Sequence, residues 1–280
     1  MIERKICWRI TRYCNLHCKH CLAGYGTDFI KDINEDQQIE SLNKIIASEV
    51  TRITWTGGEP TLCASLPNLL AICHQNNIAS IITTHGLALR PKIYDALDRK
   101  LDKLRFSFDG LEQVHNSIRG GQYFYKAINA MAEAKSKGFI VEANISIMER
   151  NVADIPELII QLEKIGASKI VLLNLMDRES ALDNKLTRPS REVYEVLNQN
   201  LDTLKTTFPN LTIQLNNYWD ESDFYIVIES DGEIFLCSEN EPDKSFGFIN
   251  SPGGTSNLNS ALASQTLSHR NTFSLCQQTT

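Results

Sequence analysis

The feature that most constrains this fold is an alternation. Short β-prone runs and stretches of helical spacing succeed one another from Ile6 to Leu173. Ile6-Cys7-Trp8-Arg9-Ile10 opens the series, and residues Asp36 to Glu49 then place Ile39, Leu42, Ile45 and Ile46 on one helical face. Arg52 to Thr56 reads as a strand that Gly57-Gly58 ends, and Leu66, Leu69, Leu70 and Cys73 form the next helical stripe. Ser80 to Thr84 is a third strand, Pro91 opens a helix reaching Arg99, and Lys103 to Phe108 is a fourth strand turned by Asp109-Gly110. A helix over Tyr123–Lys137 is stopped by Gly138, a strand covers Val141–Ile147, and a helix over Asp154–Ile165 is stopped by Gly166. Lys169 to Leu173 is the sixth strand. Such β-α repeats with short loops predict an α/β fold of parallel strands joined by right-handed crossovers. Doubly wound and barrel arrangements fit this pattern equally well.

After Asp177 the pattern changes. Ser190 to Thr206 predicts one amphipathic helix, with Val193, Val196, Leu197, Leu201 and Leu204 as its stripe, and Leu211 to Leu215 a strand. Phe224–Glu229 and Glu233–Leu236 flank Ser230-Asp231-Gly232, a hairpin signal. Residues Asn250 to Ser264 are rich in Ser, Asn and Gly and are expected to loop. The expected division is therefore a larger unit over 1–180 and a smaller one over 181–280.

A C-x3-C-x2-C run, Cys14-Asn15-Leu16-His17-Cys18-Lys19-His20-Cys21, follows the first strand. Three thiolates at this spacing can hold three corners of a [4Fe–4S] cubane, which leaves one iron without a protein ligand. A structural zinc site wants four closed ligands; His17 or His20 could supply the fourth, but no second C-x2-C or H-x3-H pair follows. Disulfides would need an oxidising compartment. The second motif, Thr56-Gly57-Gly58-Glu59-Pro60, closes the second strand, where glycines let backbone approach a small polar ligand.

Together these two motifs, each after a strand and in this order, resemble those of the radical S-adenosylmethionine (radical SAM) superfamily, in particular its branch with a C-terminal SPASM or shorter twitch extension. The resemblance decides for a partial (β/α)6 barrel carrying a small α+β twitch-like cap, with the site at the C-terminal ends of the strands. It implies one [4Fe–4S] cluster on Cys14, Cys18 and Cys21, whose open iron is chelated by the amino and carboxylate groups of SAM. SAM is then cleaved to methionine and a 5′-deoxyadenosyl radical that abstracts hydrogen from substrate carbon. It further implies that Gly57, Gly58, Glu59 and Pro60 hold the SAM amino group, and that a bulky residue at 58 would spoil SAM turnover while sparing the cluster. Thr84 and Ser107 would meet the SAM carboxylate or ribose, Arg119 in His115-Asn-Ser-Ile-Arg119-Gly120 a carboxylate, and Asn144 the adenine, with Ile145 as apolar backing. His20 departs from the family, which usually has an aromatic residue there.

In the C-terminal part, Asp231-Gly232-Glu-Ile-Phe-Leu-Cys237, then Gly247 and Ile249, look like the start of a twitch segment. Pro252 stands near the expected second cysteine, and Thr279 stands where Cys276 would have a C-x2-C partner. The expectation is a degenerate cap without its own cluster, its hairpin folding over the barrel mouth. Cys237 is then either a buried structural thiol or a hydrogen-atom donor to a substrate radical; Cys7 and Cys73 read as core residues.

A net charge of −6 argues against a nucleic-acid partner. No signal-peptide pattern or bilayer-length apolar run occurs, so no membrane partner is expected, and three of eight cysteines crowd one loop, which predicts a reducing, cytoplasmic setting. The expected partners are a ribosomal peptide or a small natural product as substrate and a flavodoxin- or ferredoxin-type electron donor. The expected outcome is oxidation, crosslinking or epimerisation. The competing reading is a non-catalytic iron–sulfur or zinc protein with a structural or redox-sensing loop; the glycine turn argues against it.

Overall fold

A computed structural model describes residues 4–21, 32–176, 179–215, 224–237 and 243–276. Thr279 lies outside these, as does the side chain of Cys276. Six β-α units build the frame as predicted. Strands β1 (Lys5–Thr11), β2 (Arg52–Gly57), β3 (Ala79–Thr84), β4 (Lys103–Phe108), β5 (Ile140–Ile147), β6 (Lys169–Asn174) and β7 (Thr212–Leu215) pair in parallel in chain order. Helices α1 (Glu35–Ala47), α2 (Leu66–Gln75), α3 (Pro91–Ala96), α4 (Glu112–Arg119), α5 (Phe124–Ser136), α6 (Ile155–Ile165), α7 (Glu179–Asp183) and α8 (Arg191–Thr207) intervene.

Local chemistry sets their limits. Asn34 and Gln37 form a reciprocal capping box that starts α1, satisfying two otherwise orphaned N–H groups. The Ser190 hydroxyl accepts from Val193 N at the start of α8. Gly166 ends α6 in the left-handed conformation that side chains resist.

Strand residues divide by parity. One face of β1 and β2 carries Trp8, Ile10, Ile53 and Trp55 into the core beneath the helices, where the Trp8 and Trp55 rings stack 5.3 Å apart. The other face is largely polar and lines a central cavity. The sheet does not close, as a partial barrel requires.

Two expectations about the C-terminal part are corrected. The hairpin of β8 (Tyr225–Ile228) and β9 (Glu233–Cys237) does not fold over the mouth. β8 joins the free edge of β1 in parallel, and β9 and β10 (Lys244–Phe248) extend one ten-stranded sheet, ordered β10-β9-β8-β1-β2-β3-β4-β5-β6-β7. The physical reason is that β1 would otherwise bury an edge of unpaired amides. The sheet thus continues on both sides of residue 180. Of the Ser/Asn-rich stretch expected to loop, residues 250–253 form turns, but residues 254–264 are instead the start of α9 (Gly254–Cys276), which sets Leu258, Ala261 and Leu262 into the core beside α1, β9 and β10.

Candidate active site

The cysteine loop leaves β1 at its C-terminal end and is tied down from several sides. Gly57 registers with Thr11, Gly58 N donates to Thr11 O at 2.7 Å, and Glu59 N donates to Tyr13 O at 2.8 Å. The glycine turn therefore docks on the backbone just before Cys14. A Cβ on Gly58 would stand 2.1 Å from Tyr13 O, and one on Gly57, at φ +132°, 2.2 Å from Thr11 O. This corrects the expectation that residue 58 acts on SAM alone: a side chain there would push on the segment that carries the first cysteine.

Glu59 is 1% exposed and its carboxylate is fully engaged by protein. Oε1 accepts from Thr61 N at 3.2 Å, Thr61 Oγ1 at 2.6 Å and Thr84 Oγ1 at 2.7 Å; Oε2 accepts from His85 N at 3.0 Å. Thr84 in turn accepts from Gly86 N at 2.9 Å. Pro60 starts the 3-10 turn Pro60–Leu62 that holds this geometry. His85 lies 3.2 Å from Glu59 Oε2 and donates from Nε2 to Asn15 Oδ1 at 2.9 Å, while its Nδ1 accepts from Leu87 N. Burial holds its pKa below the usual value, in keeping with this neutral tautomer. A second buried anchor is Asp109, which accepts from Arg119 Nε at 2.5 Å and His20 Nε2 at 2.7 Å. Burial alone would raise its carboxyl pKa; Arg119 and then His20 reverse this and hold it well below the carboxylate range. Arg119, 7% exposed, is thus no solvated surface residue.

Cys14, Cys18 and Cys21 line one cavity of about 1980 Å³ with Gly57, Gly58 and Ser107, and Glu59, Thr84, Arg119 and Asn144 also contribute to its wall. Pro60 sits just behind this wall, buried. Burial pushes the Cys14 thiol up and the Cys18 thiol up to about 12. Protein alone does not stabilise these thiolates, whereas bound iron would. Among the described residues no three His, Cys, Asp or Glu side chains close around a single-ion position. Asn144 Oδ1 is buried with no hydrogen-bond partner, and Ser107 has no side-chain bond among the described residues, so unmatched polar groups face the cavity beside the thiols. The donor set and these open polar groups fit a cluster with a small polar ligand on it.

Ile145 is corrected. It is fully buried in the core on the helix side, because neighbours on a strand point to opposite faces and Asn144 already faces the cavity. Cys237 is 4% exposed and does not line the cavity; Asp243, Arg9 and Cys7 are its charged and thiol neighbours. Sequence reasoning missed His85, Asp109 and the His20 contact. Only the position of His85 and Asp109 directly after strands β3 and β4 hinted at them.

Residues 8–162 match the sequence profile of the radical SAM superfamily, more than half of the chain. The chain belongs to the radical SAM superfamily. Its cofactors are accordingly a [4Fe–4S] cluster and S-adenosylmethionine. This radical SAM protein is 25% identical to the Fe-coproporphyrin III synthase of Methanosarcina barkeri, over 86% of this chain and 64% of that one. It is 26% identical to the mycofactocin maturase MftC of Mycobacterium tuberculosis, over 60% of this chain and 44% of that one. In fold it resembles Streptococcus suis SuiB bound to S-adenosylmethionine, at TM-score 0.73 and 18% identity, over 87% of this chain and 63% of that one. SuiB bound to the precursor peptide SuiA aligns at TM-score 0.68, 17% identity, over 87% of this chain and 62% of that one. The chain spans less than two thirds of each of these proteins. No described helix is long and apolar enough to cross a membrane.

Proposed function

We propose that Cys14, Cys18 and Cys21 would ligate one [4Fe–4S] cluster and that the glycine turn and the polar groups of the same cavity would hold SAM. The observation that carries this reading is the docking of the Gly57–Glu59 turn onto the backbone preceding Cys14, above a cavity that all three thiols share. Backbone oxygens of Gly57 and Gly58 would meet the SAM amino group. Glu59, Pro60 and Thr84 fix the turn, since the side chains of Glu59 and Thr84 are already engaged with one another. Arg119, oriented by Asp109, would take the carboxylate, Ser107 a ribose hydroxyl and Asn144 the adenine edge. Held by these residues, a reduced cluster with SAM would supply the chemistry of hydrogen-atom abstraction from a substrate C–H bond. The chain's own residues hold the cofactor, exclude water and present the substrate.

The substrate is a ribosomal peptide or a small natural product, and the outcome oxidation, crosslinking or epimerisation. Similarity to a mycofactocin maturase supports the first substrate class, and similarity to an Fe-coproporphyrin III synthase the second. A flavodoxin- or ferredoxin-type donor in the cytoplasm supplies the electron. Residues 181–280 serve as a degenerate twitch-like unit laid along the sheet. For Cys237, burial just behind the cavity-lining residues Arg9, Cys7 and Tyr225 supports the structural role over hydrogen donation. Loss of product in Cys237→Ala with SAM cleavage intact would reverse that.

The test is anaerobic reconstitution. Iron and acid-labile sulfide near four each per chain are expected from the cluster's stoichiometry, with Cys14→Ala, Cys18→Ala or Cys21→Ala removing them. Bound zinc without sulfide would refute the reading.

A further inference from the structure

The cavity reaches well below the thiols, and its floor is basic. The face of the sheet that carries Ser107 and Asn144 near the mouth carries Arg105, Glu142 and Lys169 side by side further down, registered across β4, β5 and β6. Glu142 is 1% exposed and both its oxygens are taken. Lys103 Nζ donates to Oε1 at 2.8 Å, and Arg105 donates to Oε2 from Nη2 at 2.6 Å and Nε at 3.0 Å. Arg105 Nη1 has no partner among the described residues, and Lys169 has neither hydrogen bond nor ion pair there. Both side chains line the cavity. Lys5 and Arg52, which make interactions of their own, continue the positive row on β1 and β2.

We propose that this floor, centred on Lys169 and Arg105, is an anion-binding subsite that seats a carboxylate or phosphate group of the substrate. Glu142, the carboxylate registered between Arg105 and Lys169, is already shared by two cations, and Glu49, which also lines the cavity, pairs with Arg4. A third cation placed against such a pair and half-buried is unfavourable unless an anion joins it. The Lys169 pKa agrees: burial lowers it, Arg105, Arg52 and Lys103 lower it further, and Glu142 does not fully offset them. At roughly 3.3 Å per residue, the strand from Lys169 to Leu173 spans about 13 Å. A substrate anchored at the floor would therefore reach the thiol end only with an extended body of about that length. This rests on the reading of the mouth as the cluster and SAM site.

The test titrates malonate and, separately, inorganic phosphate into the full chain by calorimetry, at ionic strength held constant with sodium chloride. It is run before and after reconstitution with cluster and SAM. Binding of one or both anions is expected, weakened about tenfold or more in Lys169→Met, restored in Lys169→Arg and unchanged in the surface variant Lys205→Met. Malonate alone would identify a carboxylate seat and phosphate alone a phosphate seat. Absence of binding for both, or equal binding by Lys169→Met, would overturn the proposal. Iron content and SAM affinity, measured on the same samples, report on the mouth independently: their failure with anion binding intact would refute the cluster reading and leave the floor site standing.

Discussion

His115 is an imidazole placed where charge is unwelcome. It is 1% exposed, its ring lies 5.7 Å from that of Phe108 and 5.6 Å from that of Phe124, and its Nδ1 has no partner among the described residues. Burial drives its pKa down to about 4, against about 6.5 in an unfolded chain. Between those values the unfolded state binds more protons, so stability is fully present above pH ~6.5 and drains as pH falls towards ~4. The loss amounts to roughly 3 kcal/mol in all. His115→Phe keeps the ring contacts and removes the titration. Urea unfolding from pH 7 to 4 should show a flatter stability profile for the variant, and equal slopes would refute the assignment. Asp109 works in the same acid direction, since its carboxyl is held below its unfolded value, but its loss lies at lower pH. The two anchors of the cysteine loop, Asp109 and the Glu59–His85 pair, are both buried and polar. Their contribution lies in holding one loop geometry, which fixes where the thiols stand.

Helix α9 is held by packing rather than by propensity. Its first turns read Gly-Thr-Ser-Asn-Leu-Asn-Ser, poor helix formers, yet Leu258 is fully buried against the sheet. Leu258→Ala should cost about 2–4 kcal/mol in urea unfolding, the usual range for a buried leucine. A change under ~1 kcal/mol would mean that α9 does not dock as described. The same helix explains where the sequence was hard to read. The six β-α units were legible because hydrophobic spacing and Gly or Pro punctuation agreed along each of them. α9 was illegible because tertiary burial of Leu258, Ala261 and Leu262 overrides a loop-like composition. β10 escaped for a related reason: Lys244-Ser-Phe-Gly-Phe248 has no clean alternation and lies at the sheet edge. At the site, spacing gave the thiols and the glycine turn. His20–Asp109 and His85–Asn15 join residues 89 and 70 positions apart, a proximity that only the folded sheet creates. Ile145 was misassigned by one step of strand parity.

At the scale of the whole molecule, β1 lies inside the sheet, between β2 and β8. β1 is thus completed only once β8 has been made, and about 220 residues separate Lys5 from Tyr225. At translation rates of about 5–20 residues per second, one edge of β1 waits about ten to forty-five seconds for its partner. Throughout that interval its free amides and carbonyls could template pairing with another chain. Ribosome-arrested chains ending before Tyr225 should therefore stay protease-sensitive and engage chaperones, and release past Phe248 should bring protection. Protection already present before Tyr225 emerges would contradict this order. For this molecule, then, the vulnerable period of biosynthesis is set by the distance along the message between β1 and the strand that seals it.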